Sequence, residues 1–526
     1  MTFVEDPYFH PDAQAIPQLG AEAERSILRP LLFGIPVVLS GLSYVAGGVQ
    51  ALTDLSFLFL AGFCLLFLAR ELWDFPEKQG MGGLLIFGGV LIWFCHDYFS
   101  NWFGVDFLDP AFGFSAGTIA KAAFYHCLFI EIMVAVYKFP VFRWAEKLIV
   151  IVPEPASSSL YAAVLLVMMA FTFSPFFLFQ SEPFYMALWH TATFRSNLVP
   201  WTVGRTSIGQ AMNLNYDWGG YVAQILQIGQ MTGILAAAYS IMIARSLPGK
   251  IIGWPIWLFW VGYSFAGMRR GDFAFMGLPV AALLYYKYQS ALIGQIRLSR
   301  WKAYALGGVV AFALLVGVQY EGSVRANTSS LELFTARGDT MFSEGLKAWA
   351  IFPDKKNYYY DDFPGETIVR PLPDTLFWLI IDPIPRALWN DKPLDSFGPW
   401  YSNLISGEHT GANGTTVSSG AVGTWYFRFG PFGVIEGALL YGWLMGVAER
   451  SLRRAGNRPL AVIFSLAFVT FMFRAYRDLW FHNLDQVLLT GVLLYVVVKL
   501  LGAAPSGENA RVEGDASSAG MTTVAA

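Results

Sequence analysis

The chain has 526 residues, 55% of them hydrophobic and only 14% charged, against the roughly 25% charged residues of a soluble domain. With a mean hydropathy of +0.47, this composition excludes an ordinary water-soluble globule and fits a multi-span membrane protein. The net charge of −3 matters less than which side of the membrane each charge occupies.

Residues 1–29 are polar and acidic and carry no cleavable signal pattern, so they read as a cytoplasmic tail ahead of a membrane domain over 30–501. A transmembrane helix needs about 20 mostly apolar residues. On that criterion twelve spans are expected, near 31–49, 52–70, 82–103, 115–137, 158–179, 220–244, 251–267, 272–287, 303–320, 423–447, 459–473 and 484–501. With the N-terminus inside, short basic loops such as Arg143/Lys147, Arg297/Arg300/Lys302 and Arg450/Arg453/Arg454/Arg458 all face the cytoplasm. That is the positive-inside pattern, and it places both termini inside. Residues 502–526 are small and polar and are expected to be a disordered cytoplasmic tail.

Several ionisable residues lie within the early spans: His96, Asp97, Lys121, His126 and Glu131. They suit either a proton relay or polar contacts inside the bundle. Cys64, Cys95 and Cys127 sit in hydrophobic runs without metal-ligand spacing and read as core or lipid-facing residues.

Two long segments fall outside, 180–219 and 321–422, and the second is expected to form short helices at the membrane surface. Arginines accumulate on this outer side against the charge rule. Arg269 and Arg270 occupy a short turn before Gly271-Asp272, and Arg474 and Arg477 stand at the outer end of the eleventh span. Arg325 and Arg337 come after the ninth span, near Glu321 and Asp339. Each group suits either an anionic substrate or lipid headgroups and local ion pairs.

The densest chemistry lies in Pro385-Arg386-Ala387-Leu388-Trp389-Asn390-Asp391-Lys392-Pro393. Arg supplies a planar fork of donors and Lys a compact ammonium, a pair suited to a phosphate or diphosphate. The alternative is a loop brace between Arg386 and Asp391 or Asp382. Glu321, Asp339, Glu408 and His409 are the candidate bases for a sugar hydroxyl. A Gly/Thr/Ser-rich stretch over 411–420 then leads into Gly423-Thr424-Trp425-Tyr426-Phe427-Arg428-Phe429-Gly430-Pro431-Phe432-Gly433. It lacks the Gly-Lys-Ser/Thr ending of a P-loop and reads as a re-entrant element lining a substrate.

These motifs resemble those of the bacterial Wzy-type polymerases of O-antigen and oligosaccharide repeat units, over residues 380–433; the Arg269-Arg270-Gly271 turn is similar to an arginine–glycine element of that family. The resemblance implies an all-α, polytopic helix bundle of about 12 transmembrane helices, GT-C-like, with a large periplasmic loop at 321–422, in the bacterial inner membrane. It implies transfer of a growing glycan from undecaprenyl diphosphate onto a lipid-linked repeat unit, without metal or other cofactor. The neighbouring O-antigen ligases share much of this chemistry, and a lipid-linked oligosaccharide flippase or secondary transporter is the alternative of another class. The expected catalytic residues are Arg386, Lys392, Asp391, Glu408 and His409. Arg269, Arg270, Arg325, Arg337, Arg474 and Arg477 would bind the diphosphate, and Trp389, Trp400, Tyr401 and Trp425 would stack on sugars. Implied partners are undecaprenyl-diphosphate-linked oligosaccharide, membrane lipids, a chain-length regulator and a repeat-unit flippase, but no nucleic acid.

Overall fold

A computed structural model describes residues 34–74, 81–100, 114–138, 151–178, 231–242, 253–258, 419–455, 458–475 and 481–502. It also describes the single positions 228, 342, 345, 346, 349, 380, 381, 384 and 389. Among these residues the protein is helical, with no β-strand.

The first helix, α1 (Ile35–Val45), is shorter than the apolar run 31–49 suggests. It ends in a tight turn in which Gly47 and Gly48 adopt φ of 79° and 103°, a region that favours glycine. A side chain on Gly48 would collide with the backbone of Ala116 and Gly117, so this turn seats directly on the start of another helix. The Ser43 hydroxyl pairs with that of Thr53 at 2.8 Å, tying α1 to α2 (Gln50–Asp74) across the turn. Helix α3 (Met81–Val90) passes through one π turn, Leu91–Cys95, into α4 (His96–Ser100). The wider turn brings Phe94 and Cys95 into the core, in keeping with π turns being found mostly as single insertions in longer helices.

Helix α5 (Ala116–Lys138) is the central element, with Ile119, Ala123, Phe129, Ile130 and Met133 fully buried. It packs most extensively against α8 (Gly420–Ala455) and also contacts α1 and α2. Helix α9 (Pro459–Ala475) packs on α8 and α3, α10 (Phe481–Leu501) packs on α9 and on α6 (Ser158–Leu178), and α7 (Met231–Met242) meets α6 through Tyr239 and Tyr161. Among the described residues, four segments are long and apolar enough to cross a membrane: Gln50–Ala69, Gly82–Phe99, Ala116–Lys138 and Gly420–Ala455. Leu42, Val45, Leu65 and Leu66 are more than half exposed on α1 and α2, an apolar surface suited to lipid contact.

One expectation needs correction. The tenth span, expected as one helix over 423–447, is instead two helical arms that reverse at Gly430. Within the segment 321–422, four described residues pack one face against the bundle. Phe342, Leu346 and Trp349 are completely buried. With Gly345 they have the i, i+3, i+4, i+7 spacing of a single helical face. Phe342 packs edge-on to Phe57 of α2 and Tyr98 of α4, and Trp349 stacks on Tyr125 of α5. Cys64, Cys95 and Cys127 are free, buried thiols, as their hydrophobic surroundings suggest.

Candidate functional site

The reversal in α8 arises from four residues. Gly430 has φ 67° and ψ −156°, a combination accessible essentially only to glycine. Pro431 comes next, with its fixed φ suited to the first turn of a new helix. Gly433 and Gly437 then present a side-chain-free strip, one turn apart, to the preceding arm. A Cβ on Gly433 would strike the carbonyl oxygen of Trp425, and one on Gly437 would lie 2.5 Å from the Trp425 indole. Residues eight and twelve positions apart in a straight helix are about 12 and 18 Å apart along its axis. These contacts therefore require the arm 420–429 to fold back onto the arm 431–455. The longer arm would reach about 37 Å at the helical rise per residue, enough for a hydrocarbon core of about 30 Å.

The longer arm runs beside α5 in the same direction. Tyr441 meets Phe129, Gly442 closes on the Met133 carbonyl, and Glu449 accepts a hydrogen bond from Tyr137. Arg453, one turn along, also donates to Glu449, so the far end of the arm is fixed by a buried carboxylate with two donors. The short arm runs the other way. Gly345 lies between the Ser419 carbonyl and the His126 ring, placing the start of the arm at the level of His126. Seven residues on, Tyr426 packs against Tyr125 with ring centroids 4.9 Å apart, while the Lys121 ammonium sits 5.3 Å from the Tyr426 ring. The arm thus begins at mid-depth and travels toward the Ala116 end of α5.

At its start lies a buried histidine in an aromatic enclosure. His126 is completely buried. Its ring lies 5.1 Å from Phe94, 5.1 Å from Phe342 and 5.6 Å from Trp349. Nδ1 is 2.7 Å from the Ala122 carbonyl oxygen; that oxygen can only accept, so Nδ1 carries the hydrogen. In the neutral ring Nε2 then holds a lone pair, and it has no hydrogen-bond partner among the described residues. The short arm brings further polar groups into the bundle. Ser419 and Thr424 share a hydroxyl–hydroxyl contact of 2.8 Å, and Arg428 is 5% exposed. Arg428 stands near the end of the short arm, eight residues after its start at Gly420. Among the described residues no three His, Cys, Asp or Glu side chains gather as a metal site.

Of the residues expected in a site, Trp425 is 2% exposed and packs against Gly437 and Phe429, so it holds the two arms together. Trp389 is half-buried and packs on the hydrophobic core. Arg474 lies in the last turn of α9. Arg386, Asp391, Lys392, Glu408, His409, Arg269, Arg270, Arg325, Arg337, Arg477, Trp400 and Tyr401 lie outside the described residues. So do Glu321 and Asp339, and with them the expected single cationic pocket. Arg428 is a buried cation to which the motifs assign no role; its place between two aromatic residues, just before the Gly-Pro turn, is the signal that marks it.

No protein-family model, curated protein or solved structure matches this chain.

Proposed function

We propose that the protein is a membrane glycosyltransferase that polymerises undecaprenyl-diphosphate-linked oligosaccharide repeat units. In this reading it has twelve spans in a GT-C-like arrangement, sits in the bacterial inner membrane with both termini cytoplasmic, and works at the periplasmic face. The observation that carries the proposal is the re-entrant turn at Gly430, formed by part of the motif on which the family resemblance rests. Helices interrupted within a membrane are tolerated where they are buried in protein or line a cavity, which suits a catalytic lining better than a plain span.

In the proposed reaction an acceptor hydroxyl gives its proton to a base, with Glu321, Asp339, Glu408 and His409 the candidates. Its oxygen attacks the anomeric carbon from the face opposite the diphosphate. The anomeric C–O bond breaks, and polyprenyl diphosphate leaves with the electron pair, giving inversion. Arg386, Lys392, Arg269 and Arg270 would stabilise the developing charge on the leaving group, with Arg325 and Arg474 behind them. The test is incubation of purified protein with one lipid-linked repeat unit, in which a ladder of products is expected. Transfer of a single glycan to a non-carrier acceptor would instead identify a ligase.

A flippase or secondary transporter is the second reading. The observation favouring it is the start of a helical arm at mid-depth beside a buried histidine, since transporters often bind substrate at interrupted helices. Transbilayer movement of the lipid-linked unit without a ladder would establish that alternative.

A further inference from the structure

We propose that Glu154 is a proton-operated latch that fastens the start of α9 to the segments entering α6 and leaving α10. Glu154 lies in the irregular stretch 151–157, outside the membrane-crossing helices, and is 8% exposed. One carboxyl oxygen accepts the Ala461 backbone N–H at 2.9 Å, and the other accepts the Tyr161 hydroxyl at 3.2 Å. The carboxyl therefore caps α9 from a residue about three hundred positions earlier in the chain, serving an N–H that lacks an intrahelical partner. Two residues on, the Ala156 N–H donates to the Gly502 carbonyl at 3.2 Å, joining the same stretch to the end of α10.

Opposing influences meet at this carboxyl. Burial pushes it up to about 7, against the N–H groups of Ala461 and Leu460, the Tyr161 hydroxyl and the charge of Arg458, all of which favour the ionised form. Among the described residues, the charged and titratable groups facing it are Tyr161 on α6, Tyr239 on α7 and Arg458 ahead of α9. Arg458 is exposed, so its charge is shared with water and compensates the carboxylate only in part. Tyr239 is completely buried, stands 5.7 Å from Tyr161 ring to ring, and its hydroxyl has no hydrogen-bond partner among the described residues. It is a spare donor in reach of the electrostatic field of Glu154.

The sign comes from the upward shift. A carboxyl ordinarily titrating at about 4.3 when unfolded but at about 7 here binds more protons in the folded junction across that interval. The junction is firmest at the acidic end, weakens as pH rises through the interval, and changes little above it. Ionisation leaves a charge in a poorly hydrated place, which Tyr239, Arg458 or entering water must then solvate. The basic residues Arg450, Arg453, Arg454 and Arg458 mark this end of the bundle as cytoplasmic, so the latch would sense internal pH. Its moving partner, α9, carries Arg474 at its opposite end.

Hydrogen exchange on the full-length protein in lipid nanodiscs tests this, measured from pH 5.5 to 8.5 and corrected for intrinsic exchange. Protection at 460–461 is expected to fall several-fold from pH 5.5 upward and to level off near neutrality. Glu154→Gln should remove the pH dependence, holding protection at its acidic value, because an uncharged acceptor remains. Tyr161→Phe removes a donor that favours the ionised form and should move the pH at which protection levels off upward; this holds even if the first variant fails to fold. A flat profile in the native protein, a native-like profile in Glu154→Gln, or a levelling point unmoved or lowered in Tyr161→Phe would overturn the latch.

Discussion

Replacing Gly433 or Gly437 by alanine separates a folded-back α8 from a straight one, because the two geometries predict opposite signs. In an exposed straight helix each change would stabilise by about 0.8–1.0 kcal/mol, since glycine is the poorer helix former. In the folded-back arrangement a Cβ at 437 meets three indole atoms of Trp425 at 2.5–2.6 Å, and one at 433 meets the Phe429 Cβ at 2.6 Å as well as a backbone oxygen. Overpacking of this kind costs about 1–3 kcal/mol, with the Gly433 change expected at the upper end because a backbone oxygen yields less readily than a ring. The assay is thermal unfolding of the purified protein in one detergent, with both variants and the double change Gly437→Ala/Trp425→Leu. Both single changes should lower the midpoint, and shrinking the indole should make the Gly437 change less harmful than in the native background. Neighbouring residues couple by about 0.5–3 kcal/mol in such cycles. A raised midpoint for either glycine variant, or strict additivity in the double variant, would refute the fold-back.

Three further outcomes are expected. Gly430→Ala should destabilise by about 1–3 kcal/mol, since the turn requires a backbone conformation that alanine adopts only under strain; thermal unfolding of the variant measures this. Trp349→Ala should cost about 3–5 kcal/mol, the range for truncating a buried tryptophan, and should increase hydrogen exchange near His126. Arg386→Lys should cut polymer formation about a hundredfold or more if the guanidinium grips a diphosphate; near-normal polymer in cells would instead identify a loop brace worth about 1 kcal/mol or less.

The helices are legible where hydropathy alone decides. The apolar runs 52–70, 115–137 and 158–179 correspond closely to α2, α5 and α6, because a run of that length admits few other structures in a membrane protein. The reversal at Gly430 is only half legible. Its glycines read as a re-entrant element, yet the apolar run continues straight through them. The short arm is as apolar as the long one, so hydropathy averaged over a span hides a change of direction. The packing of Trp425 is hidden in the same way, since only the folded-back Gly433/Gly437 strip brings its indole against the longer arm. Phe342, Gly345, Leu346 and Trp349 carry a readable helical period, but their polar neighbours and their place in a long outer segment suggest a surface helix. The π turn at Leu91–Cys95 leaves no sequence signal, since its residues would serve equally well in a regular helix.

The irregular features are not scattered through the bundle. The π turn supplies Phe94, the start of the short arm supplies Ser419, and the segment 321–422 supplies Phe342, Gly345 and Trp349; all converge on His126. The π turn and the start of the short arm disturb a regular backbone ladder, and in a lipid environment such groups are tolerable only when neighbouring protein, here including the buried face at 342–349, shields them. The three are therefore mutually dependent. Straightening the short arm would carry Trp425 away from its glycine strip and remove Tyr426 and Phe427 from beside Trp349, while withdrawing Trp349 would uncover one side of His126. A cluster of this kind has a small number of alternative packings rather than a continuous range, because closely packed side chains rearrange together. A substitution at Phe342 or Trp349 therefore changes the packing around His126 directly, because both rings lie against it.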